Sequence, residues 1–172
     1  MSNLYFADLS HDDAGPYEGL IAATPAGSPV PAQEDDCRTI LIVDDDRDIR
    51  LLLHFTLEEL GYTVLEAGDG REGLQVLRAS GSRRLIVLVD YRMPGMDGWE
   101  LLRVAFEDAA LAARHTFALV TAEAETLPAA FRALLAERAI PVLGKPFHLD
   151  ELDTLVASCR ARAIAAGDVG TA

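Results

Sequence analysis

The sequence predicts an α/β fold: a five-stranded parallel sheet with five helices distributed over both faces. Three observations carry that expectation. Short, unbroken apolar runs recur, TILIV (39–43), LIVLV (85–89) and FALVT (117–121), as strands buried on both faces require. Segments of helical periodicity fill the intervals, so the order reads βαβαβαβαβα, which joins parallel strands by right-handed crossovers. Polar residues follow the apolar runs, at the strand ends where an open α/β sheet places its ligand site.

The first strand, 39–43, is followed by RDIRLLLHFTLEEL (47–60), apolar at helical spacing. Asp46 is placed to cap its N-terminus and Gly61 to stop it. TVLEA (63–67) is mixed in polarity and suits an edge strand. GREGLQVLRAS (70–80) is amphipathic, with Asp69 as N-cap. The run 85–89 is a central strand, and the third helix spans 97–111, capped by Asp97. The run 117–121 is also central. The fourth helix covers 127–139, with Pro128 in its first turn, where a missing N–H costs nothing. IPVLGK (140–145) contains Pro141, which a central strand would reject, so it is the other edge. The fifth helix, 149–166, has acids first and arginines last, as the helix dipole favours. The chain must turn at once after Lys145, so a cis Lys145–Pro146 bond is expected.

Composition narrows the function. The 172 residues carry a formal charge of −13 and show no basic stripe, which argues against a nucleic-acid partner. Two cysteines, Cys37 and Cys159, make no disulfide framework, so a reducing, cytoplasmic setting is expected. No apolar run approaches the roughly 20 residues of a membrane span, and no signal peptide is visible. Residues 1–36 hold seven acids and no Lys or Arg, among Pro, Ala and Gly. The expected division is an acidic N-terminal tail (1–37), a folded domain (38–166) and a short C-terminal tail (167–172). In the first tail only NLYFADLS, with Leu4, Tyr5 and Phe6, is dense enough to dock.

The residues at the strand ends define the candidate chemistry. Strand one ends in Asp44-Asp45-Asp46, strand three in Asp90, strand four in Thr121 and strand five in Lys145. Clustered carboxylates raise one another's pKa unless a cation sits among them. An all-oxygen site with few protein ligands suits Mg²⁺. A carboxylate can act as nucleophile and form an aspartyl phosphate, with an ammonium and a hydroxyl supporting the transferred group. Asp46 and Asp97 read as caps instead. His54, His115, His148 and Trp99 read as packing, surface or capping residues, without metal-ligand spacing. Met93 and Met96 belong to the loop after Asp90. Cys159 has no activating neighbour in sequence.

Four motifs, ILIVDDD, LVDYRMPGMDG, ALVTAEAE and GKPF, stand in order at four strand ends, and together they resemble the receiver domain of two-component response regulators, of the chemotaxis-regulator type. The resemblance implies a flavodoxin-like, doubly wound sheet of order 2-1-3-4-5. It implies that Asp90 is the phosphoacceptor, and that Asp44, Asp45, Asp90 and the backbone carbonyl of Arg92 hold Mg²⁺. It makes Thr121 the switch hydroxyl and Lys145 the phosphate clamp. The implied partners are a histidine kinase and a downstream protein bound by the face of helix four, strand five and helix five; a homodimer is also possible. Small phosphodonors would label the protein in Mg²⁺, and the label would then be lost by autodephosphorylation.

One departure stands out. Relatives often carry an aromatic switch residue three positions before the lysine, and here that position is Val142. Arg92 and Glu123, each two residues beyond a site residue, are expected to pair and modulate hydrolysis. Because no output domain follows the fifth helix, a stand-alone regulator is the expected form. A phosphorelay intermediate, a hybrid-kinase receiver and a phosphorylation-independent scaffold are the alternatives. A Mg²⁺-dependent phosphatase would need an Asp two residues past its nucleophile, where this chain has Arg92.

Overall fold

The computed structural model describes residues 37–168. The acidic tail and its apolar patch lie outside them, apart from Cys37, which is buried although it was assigned to the tail. The elements are β1 (Thr39–Val43), α1 (Arg47–Glu59), β2 (Thr63–Ala67), α2 (Gly70–Ala79), β3 (Ile86–Val89), α3 (Gly98–Glu107), α4 (Ala109–Arg114), β4 (Thr116–Thr121), α5 (Ala129–Glu137), β5 (Val142–Gly144) and α6 (Leu149–Asp168). All strand pairs are parallel, in the order β2-β1-β3-β4-β5, so the mixed run and the proline-bearing run are the edges, as expected.

Strand alternation divides the interior into two layers. Leu41, Val43, Val87 and Val89 face a cluster with Leu74, Leu101 and Phe131 from α2, α3 and α5. Ile40, Ile42, Ile86 and Leu88 face the opposite cluster, with Leu53 and Leu57 of α1 and Leu152, Val156 and Cys159 of α6. Each fully buried branched side chain contributes about 1.5–3 kcal/mol of transfer free energy, so unbroken apolar runs are what a two-sided sheet needs. The expected caps form: Asp46 accepts from the amides of Asp48 and Ile49, Asp69 from Arg71 and Glu72, and Asp97 from Glu100. His148 precedes α6, and its amide donates to the Glu151 carboxylate at 2.7 Å, the backward half of a capping box. Gly61 stops α1 at φ +83°.

There are six helices among the described residues rather than five. The expected helix over 97–111 is interrupted at Asp108, whose backbone is extended (φ −93°, ψ 104°) and whose carboxylate accepts from the amides of Ala110 and Leu111 at 2.9 and 3.3 Å. A short acid that can bond nearby amides competes with helix continuation, so α3 ends and α4 starts anew. Pro128 stands one position earlier than expected, at the N-cap of α5 rather than within its first turn. The Lys145–Pro146 bond is cis.

Candidate functional site

Register assembles the site. Val43 pairs with Val89, so the residues that follow them, Asp44 and Asp90, stand side by side, and the Asp90 amide donates to the Val43 carbonyl at 2.8 Å. Thr121 pairs with Gly144, and the Lys145 amide donates to the Thr121 carbonyl at 2.8 Å. Residues as much as 101 positions apart thereby meet: Lys145 Nζ donates to Asp44 Oδ2 at 2.6 Å and to Asp90 Oδ1 at 2.9 Å.

Asp44 is 2% exposed and Asp90 7%, so both charges need partners. The second oxygen of each finds an amide: Asp44 Oδ1 accepts from Asp46 N at 2.9 Å, and Asp90 Oδ2 from Arg92 N at 2.8 Å. Burial pushes the Asp90 carboxyl above its ordinary range, aided by repulsion from Asp44; the hydrogen bond and charge of Lys145 and the Arg92 amide pull the other way without cancelling it. Burial also opposes the Lys145 ammonium, but its bonds to Asp44 and Asp90 and their attraction together outweigh that, and its pKa rises. The lysine is therefore a fixed cation shared by two acids.

The remaining candidates are placed as follows. Asp45 is exposed at the rim, and Asp46 is occupied as a cap. Thr121 is buried, and its Oγ1 accepts from the Glu123 amide at 3.2 Å. Arg92 Nε donates to both carboxylate oxygens of Glu123, at 3.1 and 3.0 Å, so the expected pair forms between the loops after β3 and β4. Val142 is 39% exposed on β5.

Three features have no counterpart in the sequence-level reading. Arg50 Nη1 donates to the Asp44 carbonyl at 2.7 Å and its Nε to Glu66 at 3.3 Å, tying the acidic turn to α1 and β2. Tyr91, next to Asp90, packs on Phe131 of α5 (centroids 5.3 Å), and Phe131 stacks on Trp99 of α3 (5.2 Å, 7° between planes). Gly98 lies so close beneath the acceptor loop that a Cβ there would stand 2.2 Å from the Asp90 carbonyl oxygen. The Asp-Gly at 97–98 was a visible signal for the last; nothing local marks the others.

Among the described residues no three His, Cys, Asp or Glu side chains form a ready cage for a metal. The donor set nevertheless fits Mg²⁺. That ion takes one or two carboxylates and keeps several waters, and here the buried carboxylates of Asp44 and Asp90, the exposed Asp45 and the Arg92 carbonyl offer oxygen donors only.

Comparison with known proteins agrees with this geometry. A family model described as the response regulator receiver domain matches residues 40–157. The C4-dicarboxylate transport transcriptional regulatory protein DctD of Rhizobium meliloti is 37% identical over 114 residues, 66% of this chain and 23% of that protein. The sensor kinase CckA of Brucella abortus is 37% identical over 121 residues, 69% of this chain and 12% of that protein. The chain thus spans less than a quarter of either relative. The crystal structure of a CheY-like response regulator receiver domain protein from Methanospirillum hungatei matches with a TM-score of 0.61 at 25% identity, over 76% of this chain and 97% of that one.

Proposed function

The chain belongs to the response regulator receiver domain family, and on that premise we propose that it accepts a phosphoryl group from a histidine kinase on Asp90 and signals through contact with a protein partner. Receiver domains are phosphoacceptor signalling domains rather than enzymes in the ordinary sense. The observation that carries the reading is Asp90 itself: a buried carboxylate at a strand end, held between a lysine and an amide.

In the transfer, an Asp90 carboxylate oxygen attacks the phosphorus of a phosphohistidine. The P–N bond breaks, a P–O bond forms, and the imidazole leaves with the electron pair and takes up a proton from water. Burial pushes the Asp90 pKa up and the hydrogen bond and charge of Lys145 pull it down, so the lysine favours the ionised form that acts as nucleophile. The ammonium then stands beside the oxygens that gain charge, and the Thr121 hydroxyl supplies a further polar contact. Receiver domains generally bind Mg²⁺ for phosphorylation; Asp44, Asp45 and the Arg92 carbonyl, beside Asp90, would hold it, and it would neutralise charge on the transferring group.

The proposed partner face is α5, β5 and α6, which correspond to the fourth helix, fifth strand and fifth helix expected from the sequence, and a homodimer is a further possible assembly. No helix among the described residues is long and apolar enough to cross a membrane. A second reading, the receiver of a hybrid kinase or a phosphorelay intermediate, is favoured by the 37% identity with a sensor kinase; phosphotransfer onward to a histidine-bearing protein would distinguish it. The primary test is intact mass after incubation with Mg²⁺ and acetyl phosphate. The wild type should gain one phosphate and Asp90→Asn none; wild-type labelling of the variant would overturn the assignment.

A further inference from the structure

At the end of the sheet opposite Asp90, a cavity of about 420 Å³ opens beside the first residues of β4. Four separate segments each bring a guanidinium to its lining: Arg84 before β3, Arg114 in the last turn of α4, Arg138 at the C-cap of α5, and Arg162 in α6. No acidic residue is among its described lining residues, in a chain whose formal charge is −13. Phe106 and Phe117, edge to face at 5.2 Å, form an apolar wall.

Three of the arginines are held in place. Arg162 Nη1 donates to the Ala139 carbonyl at 2.6 Å, Arg84 Nη1 reaches the Ala163 carbonyl at 3.4 Å, and the Arg138 guanidinium lies 5.1 Å from the Phe106 ring centroid. Arg138 also meets Glu137, outside the cavity, at 3.5 Å. Part of this is helix capping. The C-termini of α4, α5 and α6 come close here, and each carries about −0.5 charge. Three such ends amount to about −1.5 and the paired Glu137 adds one negative charge, which together fall short of the four positive charges, so a cationic excess remains. A guanidinium has five N–H donors, and one carbonyl bond leaves most of the Arg162 fork for another acceptor.

We propose that this cavity binds a small anion of the nucleoside polyphosphate class, with its phosphates on the arginines and its base against the Phe106–Phe117 wall. Planar guanidinium forks match phosphate oxygens in pairs, which supports phosphate over a simple halide. The volume falls in the range of small-molecule sites, roughly 300–1,000 Å³, and is larger than inorganic phosphate needs. The half-buried Phe106, backed by buried Phe117, gives a planar base an apolar contact that tripolyphosphate could not use. The proposal is independent of the chemistry at Asp90.

His115 also lines the cavity and gives a local probe. Its ring is buried, and Nδ1 accepts from the Leu85 amide at 3.3 Å. The test titrates the full chain in EDTA with ATP, tripolyphosphate and adenosine, by calorimetry and by NMR of the histidine rings. ATP is expected to bind saturably below about 1 mM, more tightly than tripolyphosphate, with adenosine undetected. The His115 resonances should shift while those of His54 and His148 stay. Arg114→Gln and Arg138→Gln should each weaken ATP about tenfold and leave acetyl-phosphate labelling of Asp90 unchanged. Absence of saturable ATP binding, or wild-type affinity in the double variant, would overturn the site. Equal binding of tripolyphosphate would overturn the nucleoside assignment.

Discussion

Arg92 and Glu123 link the two loops beside Asp90: one guanidinium nitrogen donates to both carboxylate oxygens, at 3.1 and 3.0 Å, while Arg92 also lies 4.9 Å from the Tyr91 ring centroid. Arg92 is 66% exposed and Glu123 37%, so the pair is a poor source of stability. Its position supports a kinetic role instead. On the proposed chemistry, water that hydrolyses an acyl phosphate on Asp90 would approach opposite the Asp90 oxygen, and the pair is proposed to border that route. Arg92→Ala and Glu123→Ala should each speed decay of the phospho-protein in Mg²⁺, and the double variant should add little beyond either. Unchanged or slower decay in both single variants would remove the gate.

Gly98 is expected to position Asp90. A Cβ at Gly98 would meet the Asp90 carbonyl oxygen at 2.2 Å and the Tyr91 Cα at 3.1 Å, both backbone atoms that cannot swing aside. Gly98→Ala should slow acetyl-phosphate labelling by at least tenfold and cost about 1–3 kcal/mol in urea unfolding. Gly95→Ala serves as the comparison. Gly95 has φ +78° and open space around it, so alanine there should cost about 1 kcal/mol of stability and leave the labelling rate near wild type. Equal labelling rates in the two variants would show that the Gly98 contact does not set the acceptor.

His115 makes stability depend on pH. Burial, then the charge of Arg114, and more weakly that of Arg84, push the imidazole down to about 4, against a smaller upward pull from the Leu77 carbonyl. An unfolded histidine protonates near 6.5. Between those values the unfolded chain holds a proton that the folded chain lacks, so this contribution is complete above about pH 6.5 and is lost as pH falls toward 4. Relative to His115→Gln, the wild type should lose about 2 kcal/mol more on going from pH 7 to pH 4.5, measured by urea unfolding. Parallel pH profiles for the two proteins would contradict this origin.

Val142 sits on the edge strand at 39% exposure with no ring to swing. Phosphorylation is therefore expected to alter α5 and β5 only modestly. Hydrogen exchange with and without beryllofluoride, a mimic of the phosphoryl group, measures this directly. Large cooperative changes extending into α6 would contradict the expectation and point to buried Tyr91 and Phe131, with half-buried Trp99 stacked on Phe131, as the lever.

The sequence by itself determined the five strands, which of them are edges, and the caps at Asp46, Asp69 and Asp97. These depend on neighbours a few residues apart: unbroken apolar runs buried on both faces, proline's missing N–H and short side chains bonding nearby amides. It also placed Asp44, Asp90, Thr121 and Lys145 at strand ends, although the sheet order that unites them was implied only by resemblance. The break at Asp108 was missed because helix-compatible residues continue on both sides of it, Ala105 to Glu107 before and Ala109 to Leu111 after, and the competition between cap and helix interior is close. Only the tertiary structure decided that one lysine bridges Asp44 and Asp90, that Arg50 holds the Asp44 carbonyl, and that Arg84, Arg114, Arg138 and Arg162 share one cavity. Those relations arise from strand register and helix packing between distant segments, and no local periodicity records which side chains the folded sheet brings within reach.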